Sequence, residues 1–276
     1  MKNIDKRLEE LHDKIEVWDK AGDYTKLLPL ITEYLKLTRE KYGDRGMEYA
    51  AALNDLGGVY RDIGSYSNAE RLFLEGNDLL AEISGKQDPN YATSIMNTAG
   101  LYRLMKRHKD AERLFVEAIA VYKATLGEEH FLMTGAMNNL GLLYQDMGEY
   151  QKAKVLFEHC RDVLERAGDN QIALGSTLNN LAALCQLTGD NAGSFEILQR
   201  VLTIYRDNVG TEHPLYATAL NTYGMYQYSS GDRAGAVETL SEVERITRKR
   251  FGEGSSYHNM AMANLEYVRG TANEGT

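Results

Sequence analysis

The chain has 276 residues, 43% hydrophobic and 26% charged, with a formal net charge of −9. That apolar content suffices for a core and excludes a disordered polymer, while the acidic balance excludes a general nucleic-acid binder, which needs a basic stripe. No stretch reaches the roughly 20 apolar residues that span a bilayer, and no apolar leader follows the charged N-terminus, so neither a membrane span nor a secretory signal is expected.

Helical periodicity begins at once. Ile4, Leu8, Leu11, Ile15 and Trp18 alternate spacings of four and three residues, one face of a helix that ends near Gly22. Residues 1–43 read as a divergent first unit. In the next unit Leu53, Leu56, Gly57 and Tyr60 follow the i, i+3, i+4, i+7 rule of a buried helical stripe, and Ala69 and Phe73 mark a second helix. The same sentence then repeats. First helices carry Ile95, Ala99 and Tyr102; Met137, Leu140, Gly141 and Tyr144; Leu178, Leu181, Ala182 and Cys185; and Leu220, Tyr223 and Gly224. Second helices carry Ala111 and Phe115, then Ala153 and Phe157, with Ser194–Leu198 and Ala236–Leu240 as softer copies. The small residue inside each first-helix stripe lets the partner helix approach, and a larger side chain there would wedge the pair apart. Residues 256–269, with Leu265 and Val268, supply one more first helix and no second.

Glycines punctuate the pattern. Gly43, Gly85, Gly127, Gly168, Gly210 and Gly252 recur at intervals of 41 or 42. A second series, Gly22, Gly64, Gly148, Gly189 and Gly231, falls midway, with Lys106-Arg107 standing where its missing member would be. Each follows an apolar-periodic run, where helix C-termini favour a residue tolerant of positive φ. Two stops per repeat mean two helices per repeat. The expected fold is an all-α solenoid of about six two-helix repeats, approximately 1–43, 44–85, 86–127, 128–168, 169–210 and 211–252, then a capping helix at 253–270 and a frayed tail at 271–276.

Leu140-Gly141 followed by Tyr144, Gly148, Tyr150, Ala153 and Phe157 resembles the ordered packing positions of the tetratricopeptide repeat. The 42-residue spacing, with Asn138-Asn139-Leu140-Gly141-Leu142-Leu143-Tyr144 and Glu212-His213-Pro214-Leu215-Tyr216-Ala217-Thr218, looks most like the kinesin-light-chain variety. The resemblance covers nearly the whole chain. It implies a right-handed superhelix whose first helices line a concave surface.

Beside the buried stripe, each first helix carries a second stripe one residue further on, which the resemblance places in that groove. It comprises Asn54, Gly58 and Arg61; Met96, Gly100 and Arg103; Asn138, Leu142 and Gln145; Asn179, Ala183 and Gln186; and Asn221, Met225 and Tyr228. A carboxamide offers a donor and an acceptor, as a peptide unit does, so the asparagine ladder suits an extended peptide held by its backbone. A second series, Asn97, Asn139, Asn180 and Asn264, is assigned to pairing with adjacent helices. Arg61 and Arg103, near Lys106 and Arg107, suggest a clamp for a carboxylate or phosphate, although Asp62 and Asp146 dilute that field. Met225, Tyr228 and the neighbouring Tyr223 and Tyr267 suggest an anchor pocket. The expected peptide contacts are therefore Asn54, Arg61, Arg103, Asn138, Leu142, Gln145, Asn179, Gln186, Asn221, Met225 and Tyr228.

No nucleotide, zinc-protease or nucleophile-elbow motif occurs. His130 and His213 fall in equivalent inter-repeat loops and read as turn residues rather than ligands. Cys160 and Cys185 read as reduced thiols without metal-ligand spacing. Neither catalysis, metal nor cofactor is expected. The reading is a cytoplasmic adaptor that binds a protein or peptide partner, with neither nucleic acid nor membrane as a ligand, as a monomer or weak dimer. A peptide-responsive regulator and a self-assembling structural subunit are the alternatives.

Overall fold

The computed structural model describes residues 2–21 and 23–270. Among them are thirteen α-helices and no strand, the architecture of a helical-repeat solenoid. The predicted stop at Gly22 and the tail at 271–276 lie outside the described residues. The chain groups into two compact units, Met1–Leu143 and Tyr144–Thr276.

The first unit holds α1 (Lys2–Ala21), α2 (Tyr24–Tyr42), α3 (Met47–Asp62), α4 (Tyr66–Ile83), α5 (Pro89–Leu104), α6 (His108–Leu126) and most of α7 (Phe131–Asp146). Helices pair as α1 with α2, α3 with α4 and α5 with α6, and the hairpins stack through α2 on α3 and α4 on α5. The stacking also brings the first helices α3 and α5 against each other, so α3 and α5 share one wall.

The second unit holds α8 (Tyr150–Ala167), α9 (Gln171–Thr188), α10 (Asn191–Asn208), α11 (Pro214–Ser229), α12 (Arg233–Phe251) and α13 (Ser256–Arg269). Here α9 pairs with α10 and α11 with α12. The first-helix wall runs α9, α11, α13, and α13 also covers α12.

The expected core is present. Ala69, Phe73, Ala111, Phe115, Ala153, Phe157, Ser194, Leu198, Ala236 and Leu240 are each at most 1% exposed. The aromatic ends of the first-helix stripes are less uniform. Tyr102 is buried, whereas Tyr60, Tyr144 and Tyr223 are half-buried, and so are Met137, Leu220 and Cys185. A phenol packs its ring on the core and keeps its hydroxyl at the wet edge, so the tyrosines close the stripe rather than fill it. Trp18 does take the place of such a tyrosine. Lys26 lies 4.0 Å over its ring, as Lys152 lies 4.8 Å over that of Tyr144.

Local signals explain the helix ends. Asp88, Asn170, Asp190 and Asp232 accept a backbone N–H in the first turn of α5, α9, α10 and α12. The loop histidines are turn residues too. His213 Nδ1 accepts from the Leu215 amide at 3.1 Å, and His130 Nδ1 from the Leu132 amide at 3.2 Å. Burial, with Arg250 nearby, lowers the His213 pKa and so favours the neutral imidazole that this cap needs. Cys160 is buried, its thiol pushed up to about 12, and Cys185 is half-buried.

Where the midway glycine series is interrupted, Lys106 takes the left-handed conformation itself, with φ of 58°. It is the one positive-φ residue other than glycine among those described. That conformation costs a residue with a Cβ about 1–2 kcal/mol. Lys106→Gly should therefore raise stability by about 1 kcal/mol, read as a higher urea midpoint at unchanged slope. An unchanged or lowered midpoint would show that the lysine side chain contributes more than its backbone strain.

Candidate peptide-binding site

In the first unit an open cavity of about 450 Å³ lies among α1, α2 and α3, with Asn97 of α5 at its edge. Its floor is apolar, from Ile15 on α1, Leu27 and Ile31 on α2, and Val59 on α3. Around the floor stand His12, Asp19, Asn54, Asp55, Arg61, Asp62 and Asn97. Gly58 sits among them, and a Cβ added there would meet nothing within 4 Å, so the glycine leaves the cavity open.

Asn54 and Arg61 both line this cavity, and both have partners inside the fold. Asn54 Nδ2 donates to the Ala50 carbonyl at 3.1 Å, and Ser94 Oγ on α5 donates to Asn54 Oδ1 at 3.0 Å. The network continues inward. With its amide oriented to satisfy both neighbours, Asn77 donates to Ser94 Oγ at 2.6 Å and accepts from Thr98 Oγ1 at 2.9 Å. Arg61 Nε donates to Asp62 Oδ1 at 2.9 Å.

The second unit repeats this behaviour. Asn221 Oδ1 accepts from Asn264 Nδ2 at 2.8 Å, tying α11 to α13. Gln186 Nε2 donates to Ser194 Oγ and to the Thr222 carbonyl, each at 3.1 Å, tying α9 to α10 and α11. Asn179 is buried, and its Oδ1 accepts no hydrogen bond among the described residues. Met225 and Tyr228 pack on the core around Val243, Leu265 and Val268, and Tyr228 meets the Tyr267 ring edge-on at 5.5 Å. On α7, Asn138 and Leu142 are half-buried; so is Gln145, where the second unit begins.

Two observations bear on the expected contacts. Asn54, Gln186 and Asn221 first hold repeats together, because a carboxamide one residue beyond the buried stripe reaches the next first helix. The cations expected to form an anion clamp do not gather at this cavity. Arg103 is half-buried and does not line the cavity, Arg107 pairs with Glu70 and Asp110, and Arg61 stands among carboxylates. Asp55 and Asn97, one residue past the chosen stripe, line the cavity and were missed. Asn97 belongs to the series assigned to helix pairing, and the repeat of that series was the only sequence signal for it.

These features define a tetratricopeptide-type repeat stack. The tetratricopeptide repeat profile matches residues 90–166, 132–207 and 174–249, more than half of the chain, and the chain belongs to that family. A search of curated proteins found no match. Among solved structures, the kinesin-light-chain TPR-like repeat protein of Podosopora anserina is 21% identical, with a TM-score of 0.58 over 72% of this chain and 94% of its own. BtubC (BKLC) from P. vanneervenii is 18% identical, with a TM-score of 0.61 over 89% of this chain and 91% of its own. A Rap protein complexed with Competence and Sporulation Factor is 13% identical, with a TM-score of 0.63 over 96% of this chain and 75% of its own. At these identities the likeness is one of fold. No helix among the described residues is long and apolar enough to cross a membrane.

Proposed function

We propose that this protein is a non-catalytic interaction module that captures an extended segment of another protein on its first-helix wall. The observation that carries this reading is the open cavity between α1 and α3, with an apolar floor and polar groups at its mouth. Such a cavity suits a side-chain anchor, while the Asn97 carboxamide beside it suits the backbone on either side. The family is one of interaction repeats, and the Rap relative shows that the same fold accommodates a bound factor. The segment loses freedom as it docks, so micromolar affinity is expected.

The test is selection of nine-residue peptides displayed on phage against the full chain, followed by fluorescence anisotropy with the selected peptides. Gly58→Phe, which places a ring into open space rather than into packed neighbours, should weaken binding about tenfold or more without lowering the melting temperature. Peptides that bind wild type and variant alike would contradict the assignment of this wall.

A further inference from the structure

The charge of this cavity selects its occupant. Most acidic groups elsewhere in the first unit meet a cation: Glu33 pairs with Arg7, Asp23 with Lys26, and Glu70 with Arg107. The cavity is lined by Asp19, Asp55 and Asp62 together with His12 and one guanidinium, Arg61, which Asp62 already engages. Asp19 and Asp55 form no ion pair among the described residues. They belong to successive first helices and line the same cavity; burial and then Asp19 raise the Asp55 pKa, and His12 lowers it. Burial is the larger cause of that rise, and burial with Asp62 also raises Asp19. Both carboxylates remain reachable by water, yet the concave wall removes part of their hydration. Below them lies hydrocarbon. A long aliphatic stem that ends in a positive charge complements both layers at once.

We propose that the cavity is a docking pocket for an arginine side chain of the captured segment, with the stem on Ile15, Ile31 and Val59 and the guanidinium between Asp19 and Asp55. The inference rests on the reading of this wall as the partner-binding surface and adds what the partner carries at this point. A planar guanidinium can bridge two carboxylates, which favours arginine over lysine. A segment that presents a carboxylate or phosphate here is repelled.

The experiment is a titration of the full chain, with 13C-labelled aspartate, by N-acetyl-arginine amide and by its uncharged isostere N-acetyl-citrulline amide. The carboxyl resonances of Asp19 and Asp55 should move with the arginine compound and not with the citrulline compound. Asp19→Asn with Asp55→Asn should reduce the affinity for the arginine compound about tenfold, because it keeps the shape and removes the charge. Gly58→Phe should abolish the shifts by occluding the cavity while leaving every charge in place. Equal responses to the two compounds, no response, or shifts confined to other aspartates would overturn the proposal. These single-residue probes have no extended backbone, so failure here with selected peptides still bound at the wall would reject the arginine pocket alone. Loss of the selected peptides with the arginine response intact would reject the backbone groove alone.

Discussion

Gly57→Leu should destabilise the first unit by about 3 kcal/mol, the largest effect expected of any single substitution considered for this wall. A Cβ at this position falls 2.7 Å from Cδ1 and 2.7 Å from Cε1 of Phe73. The ring cannot retreat, because Phe73 is fully buried on α4 and packs with Ala69 and with Leu101 of α5. The added side chain must therefore separate α3 from α4 or move both against the next repeat. Gly58 provides the internal control. It is the next residue of the same helix, and its Cβ would enter open space. Alanine in place of a helix-interior glycine gains about 1 kcal/mol of propensity at either position. Gly58→Ala should keep that gain, whereas the clash at Gly57→Ala should reverse it. Urea unfolding of the two alanine variants decides the matter, and equal midpoints would show that the helices are not in close contact at Gly57.

The second large effect is expected at Ser94. This hydroxyl is 2% exposed and joins Asn54 on the preceding first helix to Asn77 on α4. Ser94→Ala removes a proton from Asn54 Oδ1, which lies at the edge of the cavity, and an acceptor from Asn77, which is buried. Leaving the buried Asn77 amide short of a partner, and the half-buried Asn54 amide short of a second, costs about 2 kcal/mol here. Asn77 keeps the Ser94 and Phe73 carbonyls, both 3.2 Å away, which limits the loss. Gly76 belongs to the same arrangement, since a Cβ there would lie 2.9 Å from Asn54 Nδ2. The double variant with Asn54→Ala should lose clearly less than the sum of the two single variants. Strict additivity, or a loss below about 0.5 kcal/mol at Ser94, would show that the amide does not tie the repeats.

The repeat and its core were legible because burial leaves a periodic trace. Ala69–Phe73 and its copies recur at a fixed interval, and the positions that recur are the ones the fold encloses. The gap at Lys106 was legible for the same reason, since the glycines on either side declare the conformation that the lysine must adopt. The candidate site was harder to read. Positions 54 and 55 both lie outside the buried stripe, and helical periodicity separates covered from uncovered residues without saying which neighbour an uncovered one meets. Asn54 meets Ser94, forty residues away, through the stacking of α3 on α5. Asp55 and Asp19, on successive first helices, line the same cavity. Their joint field depends on how hairpins stack, so the arginines seemed in sequence to set the sign of the groove, and the structure assigns its mouth to the carboxylates. Asn264 shows the same logic with the opposite result, because it bonds Asn221 as the pairing assignment expected.

The most direct test of where the partner binds is site-directed photocrosslinking of a selected peptide to the full chain. A benzophenone side chain at Gly58 samples the cavity, and one at Leu74, an exposed position on α4, samples a different surface of the same unit. The first-helix wall as partner surface predicts a peptide adduct from position 58 and none from position 74. An adduct from position 74 with none from position 58 would contradict it.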